Sequence, residues 1–216
     1  MEAVFKVFLI IHIVCGSVGL LTGVLNVLRK KGDKYHKYVG KAFLISMLSA
    51  GISSLVLASI HQNHFLFMVG VFTLYMVSSG QLYLRRYNES SSKFLEWAIT
   101  MSMLLAGILF VVLGILALIK SNFFGLVLLT FGCLGLVFVR QDFKNYKDKA
   151  KVNTYWLVAH LQRMTGGFIA ALTAFLVVNE SYFPDQIPSV FYWLLPTVVL
   201  TPLIVKWSRK YQGKKK

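Results

Sequence analysis

Residues 153–178 read NTYWLVAHLQRMTGGFIAALTAFLVV. The stretch is long enough to cross a bilayer as a helix, which takes about 20 apolar residues. It nevertheless carries His160 and Arg163, three residues apart and so on one helical face. That face continues through Gly167, Ala170 or Ala171, and Ala174. A small-residue seam of this kind packs against neighbouring helices and does not face lipid. An ionised arginine at the centre of an inserted helix costs about 2.5–3.5 kcal/mol. The stretch therefore predicts a membrane helix turned toward its neighbours, with a polar head on its seam.

The composition agrees. Of 216 residues, 56% are hydrophobic and 14% charged, against about 25% charged in a soluble domain. Long apolar runs alternate with short polar clusters, the pattern of a multi-pass membrane protein. A net charge of +15 would suggest nucleic acid if the chain were soluble. Here the cations sit between apolar spans, so no nucleic-acid partner is expected. Cys15 and Cys133 fall inside apolar runs and read as small hydrophobes, with no disulfide expected. The first apolar run continues to Leu28, too long for the core of a signal peptide, and reads as a retained helix.

Seven spans follow, at about 4–28, 38–60, 65–84, 94–119, 123–139, 154–178 and 188–206. They predict an all-α transmembrane bundle, one domain over residues 1–207, with a basic, disordered tail at 208–216. His12, Gly16, Gly19, Gly23 and Asn26 share one face of the first span, and Glu96, Thr100, Met103 and Gly107 one face of the fourth. Pro196 and Pro202 fall inside the seventh and are expected to kink it.

With seven spans, all but three of the 23 basic residues (Lys6, Lys120 and Arg163) collect on one side. By the positive-inside rule that side is cytoplasmic, which puts the N-terminus outside and the C-terminus inside. The surrounding partner is the lipid bilayer, and the basic loops are expected to attract anionic headgroups.

Depth along the spans gathers His36, His160 and Arg163 near the cytoplasmic end, with Arg140 and Glu96 beside them. Three readings of this cluster stand. In the first it is structural, Arg163 pairing with Glu96 or capping backbone carbonyls. In the second it is a ligand site: the imidazoles hold the iron of haem b or bond a quinone, and the basic groups bind a small anion. In the third it marks a pathway for a proton or substrate, as in a transporter or permease. At the opposite end His12, His61 and His64 are a candidate metal site, since imidazole suits zinc, copper and iron. Solvated hairpin histidines are the plainer alternative there. No HExxH motif, phosphate-binding glycine loop or Ser–His–Asp arrangement is present, so the reading leans away from an enzyme. It favours a binding or redox protein, with a transporter and a structural membrane subunit as alternatives.

Two segments carry a resemblance. One is His12-x3-Gly16 followed by His36-Lys37-x2-Gly40; the other is His160-x2-Arg163 in a later span. Together they resemble a bacterial family of multi-pass integral membrane proteins of unassigned function, best over about residues 8–43. Where that family has a fuller His-x-Trp-Met-x-Arg motif, this chain reads His160-Leu-Gln-Arg163-Met164. The resemblance implies a bacterial inner membrane and no particular activity. The paired membrane histidines are also similar to those of b-type cytochromes of the cytochrome b561 kind, without their four-histidine pattern.

Overall fold

A computed structural model describes residues 2–87, 92–147 and 154–212. Among these residues there are seven long helices and no strand: α1 (Glu2–Leu28), α2 (Lys34–His61), α3 (His64–Tyr87), α4 (Lys93–Ile119), α5 (Phe124–Tyr146), α6 (Tyr155–Val178) and α7 (Ser189–Gln212). A short 3-10 turn, Glu180–Tyr182, links α6 to α7. Each long helix is long and apolar enough to cross a membrane. At 1.5 Å per residue they measure roughly 35–42 Å, against a hydrocarbon core of about 30 Å.

The turns are built from side chains that satisfy helix ends. Asp33 caps α2 by accepting from the His36 backbone N–H at 2.6 Å. Gln62 closes α2 in the left-handed region at φ 48°. Asn63 then accepts from the Leu66 N–H at 2.9 Å to open α3. At the end of α1 the Lys31 ammonium caps the carbonyls of Asn26 and Val27.

α3 is the hub. It is buried along 61% of its apolar span, against 6% for α1. It packs on α2, α4, α5 and α6, while α1 lies on α2, α5 on α4, and α7 on α6. Phe72, Tyr75 and Met76 of α3 form one core cluster with Met103, Val139 and Ala170. Val77 joins Phe43, Met47, Phe168 and Leu200 in a second. Glycine permits the closest approach, between α4 and α5. A Cβ on Gly114 would stand 2.9 Å from the Gly125 carbonyl oxygen, and one on Gly132 would stand 3.0 Å from that of Gly107.

α5 and α7 run furthest past their expected ends. α5 continues seven residues beyond position 139, to Tyr146. The charges at 140–147 look like a loop by composition, yet they are arranged helically. Arg140, Lys144 and Lys147 are not buried, whereas Val139, Asp142, Asn145 and Tyr146 are. α7 continues to Gln212, so positions 208–212 are helical where a disordered tail is expected. Pro196 and Pro202 both stand inside α7. Lys149, Lys151 and the tail lysines 214–216 lie outside the described residues.

The ends of α1, α3, α5 and α7 meet the starts of α2, α4 and α6 at one end of the bundle. This end, called the basic end below, also holds Trp97, Trp156 and Trp207.

Candidate functional site

The seam of α6 lies against α3, and the contact is close because Gly80 has no side chain. A Cβ there would stand 3.0 Å from that of Arg163. The two polar residues at the head of the seam flank this glycine and go different ways.

Arg163 turns toward α5. It is fully buried and paired with the fully buried Asp142 at 2.5 Å. It also donates to the Phe138 carbonyl at 2.9 Å and the Gln141 side chain at 3.4 Å. Asp142 accepts from the hydroxyls of Tyr75 (2.6 Å), Tyr83 (2.7 Å) and Thr100 (3.3 Å). The Asn145 amide donates to the Tyr83 hydroxyl at 3.0 Å. One carboxylate thus draws groups from α3, α4 and α6 onto α5. Charged pairs out of water are tolerated only with this degree of hydrogen bonding.

The expected pairing of Arg163 with Glu96 is not what forms. Glu96, 1% exposed, takes Arg86 at 2.6 Å. Arg86 also donates to the Tyr155 hydroxyl at 3.2 Å and the Tyr146 carbonyl at 3.4 Å. The reason lies in α5: because it stays helical past position 139, Asp142 points into the core and reaches Arg163 first. Arg140 is on the exposed face of α5 and lines no part of the cavity described next.

His160 turns the other way. It lines a cavity of about 670 Å³ between α1, α2, α3 and α6, reached also by Tyr211 of α7. His36 lines the same cavity. Position along the helices sorts the lining into levels. Lys31, His36, Lys37, Arg85, Tyr87 and Trp156 stand at the basic end, and Asn26, Gln81 and His160 below them. Gly23, Phe43 and Phe168 lie deepest, the two rings in edge contact at 6.3 Å between centroids. Lys41 adds a further cation to the wall. No aspartate or glutamate among the described residues lines the cavity. The nearby Asp33 is occupied in capping α2 and faces Arg29 at 4.0 Å.

Hydrogen bonds set the imidazole tautomers. His160 Nδ1 lies 2.9 Å from the Gly80 carbonyl oxygen. A carbonyl only accepts, so Nδ1 carries the proton and Nε2 keeps a lone pair. His36 is the reverse. With the Asn26 amide oriented to suit its neighbours, its NH2 donates to His36 Nδ1 at 3.1 Å, and its oxygen accepts from the Gly40 N–H at 3.2 Å. Neutral His36 then holds its proton on Nε2. The pair offers the cavity one acceptor and one donor.

Lys31 ties the mouth together. Besides capping α1, its ammonium sits 4.0 Å from the centroid of the Trp207 ring. Burial pushes its pKa down to about 8.

The histidines expected at the opposite end are not brought together. His12 Nδ1 bonds the Ala50 carbonyl at 3.0 Å, near Ser53 Oγ. His61 stacks edge-on against Phe5 at 4.2 Å. Phe5 and His12 are about 10 Å apart along α1 at the helical rise. His64 is exposed at the start of α3. Among the described residues no three His, Cys, Asp or Glu side chains stand where they could hold a metal ion.

Asp142, Tyr75, Tyr83 and Arg86 around the ion pairs, and Asn26, Lys31, Lys37, Lys41 and Arg85 around the cavity, are residues that sequence reasoning does not place in a site. For Asp142 a signal existed. It is one of eight acidic residues, and it stands three residues from both Val139 and Asn145, at the spacing of one helical face.

No curated protein and no solved structure matches the chain. Residues 9–90, which include most of α1, all of α2 and α3, and three walls of the cavity, match the family model described as predicted membrane protein (DUF2306), and the seven long helices are each apolar enough to cross a membrane.

Proposed function

We propose that this multi-pass membrane protein binds a negatively charged ligand in the cavity shared by His36 and His160. The observation that carries the reading is the lining itself: two imidazoles, Lys31, Lys37, Lys41 and Arg85, with no carboxylate among the described lining residues. A concave site of one charge sign with low-dielectric walls concentrates the opposite charge. Its size lies within the roughly 300–1,000 Å³ of small-molecule sites. The basic end is taken as cytoplasmic by the positive-inside rule, and the membrane as a bacterial inner membrane. On this reading the Arg163–Asp142 pair holds the helices together and does not touch the ligand.

Trp156 lines the cavity, so its fluorescence reports on the site. The test is a titration of the purified full chain in amphipol with inorganic phosphate and alkyl phosphates. A saturable change, weakened by salt and by Lys37→Gln with Arg85→Gln, is expected. Binding indifferent to ligand charge and to both substitutions overturns the reading.

One observation favours a second reading. Metal-bound histidines commonly donate their other N–H to a carbonyl, the arrangement that His160 has with Gly80. Its Nε2 lone pair would be the group to hold a haem iron, which would supply redox chemistry there, and His36, with its proton on Nε2, would not hold it in turn. A Soret band lost in His160→Ala supports this reading; a protein that takes up no added haemin refutes it.

A further inference from the structure

Resting on the anion reading above, we infer that the ligand is an anionic amphiphile, a phosphate- or carboxylate-headed molecule with an apolar chain. The cavity is polarised along its length. Its mouth carries Lys31, Lys37 and Arg85, Lys41 stands one turn further in with its long side chain directed back toward the helix N-terminus at the mouth, and the floor is Gly23, Phe43 and Phe168. Trp156 at the mouth and Phe168 at the floor are twelve residues apart on one helix, about 18 Å at the helical rise. An inorganic anion would use the mouth alone and leave most of the 670 Å³ without a counterpart. A neutral chain would fill the floor and make no use of the positive charge at the mouth. A molecule with its charge at one end and hydrocarbon at the other meets both requirements in one orientation, head toward the basic end. The two imidazoles fit as well: the His36 Nε2–H can donate to a head oxygen, and His160 Nε2 can accept from a protonated one.

The expected consequence is a chain-length dependence. Each methylene moved from water to the apolar floor is worth about a fourfold gain in affinity. Hexyl phosphate then binds about fifteenfold more tightly than butyl phosphate. The experiment measures inorganic phosphate, butyl phosphate, hexyl phosphate and hexanol against the full chain in amphipol, with empty amphipol subtracted. Thr165→Leu and Thr165→Phe, which intrude on the lower cavity from α6, flatten the chain-length series and leave phosphate affinity unchanged. If either variant fails to fold, the wild-type series still decides. Equal affinity for inorganic, butyl and hexyl phosphate overturns the amphiphile and leaves the anion reading standing. Hexanol binding as tightly as hexyl phosphate, or no binding by any phosphate, overturns the anion reading itself.

Discussion

Replacing Asp142 by asparagine should destabilise this bundle more than replacing Arg163 by methionine. The two singles break the same contact but leave different groups behind. After Asp142→Asn the guanidinium stays fully buried without a counter-charge, left with the Phe138 carbonyl at 2.9 Å, the weak Gln141 contact at 3.4 Å and the rings of Phe138 and Tyr75 at 4.1 and 5.4 Å. Removing one partner of a buried pair costs about 3–5 kcal/mol, and no carboxylate remains here to offset it. After Arg163→Met the carboxylate still accepts from Tyr75, Tyr83 and Thr100. Hydrogen bonds to a charged group are worth about 1.5–3 kcal/mol each, so the loss falls to the low end, about 3 kcal/mol. The double variant removes both charges. Its new asparagine would still accept from one tyrosine, and its new methionine would fill the space left by the guanidinium. The double variant is therefore more stable than Asp142→Asn alone. The coupling should lie near the top of the usual range of about 0.5–3 kcal/mol for touching residues. The assay is a double-mutant cycle by reversible unfolding in mixed micelles. Arg163→Met costing as much as Asp142→Asn, or additive single effects, would refute the assignment of this carboxylate as the counter-charge.

Three further outcomes follow from other contacts. Gly80→Val places a branched side chain where even a Cβ stands 3.0 Å from Arg163; overpacking of this kind costs about 1–3 kcal/mol, and the loss should appear in thermal unfolding together with weaker ligand binding as His160 is pushed from the Gly80 carbonyl. A Gly80→Val protein as stable as wild type would deny the close α3–α6 approach. Lys31, pushed down to about 8, is a cation below that pH and neutral above it, so affinity for an alkyl phosphate should fall as pH rises through that value. The probe's own second ionisation, near 6, is then complete. Asp33, His36, Lys37, Lys41, Arg85 and Tyr211 stand around the same mouth, and Lys31→Arg leaves all of them in place while removing the titration; its profile should be flat, and a decline equal to wild type would move the effect elsewhere. Finally, reporters fused to the two chain ends should appear on opposite faces of the membrane, the C-terminal one in the cytoplasm, and both on one face would exclude seven crossings.

The architecture was legible because hydrophobicity over twenty residues does not depend on tertiary context. A run such as that of α4 leaves the chain one low-energy choice in lipid, a helix with every backbone group satisfied internally. The ends were less legible, since there the same physics reverses. Where α5 leaves the apolar core its buried face becomes polar, Asp142 and Asn145 replacing leucine and valine, and a rule that equates charge with loop stops too early. The positions of Arg140, Asp142, Lys144 and Asn145 hold both halves of the answer, an outward basic face and an inward polar one. Hydropathy averages the two.

The candidate site shows what spacing can and cannot decide. Residues at i and i+3 are neighbours on a helix surface, yet they differ by about 60° of arc around the axis. On a face turned to lipid that arc hardly matters. Against another helix it decides everything, because the partner's backbone can fall between the two directions. Here it does so at Gly80, which receives the His160 N–H on its carbonyl and the Arg163 Cβ against its Cα. The imidazole is left in a cavity with the basic loop of α1 and α2, and the guanidinium in a dry core with Asp142. A single pair of residues read as one site is therefore two, and the α3–α6 contact at Gly80 lies between them, which is why Gly80→Val should disturb both at once.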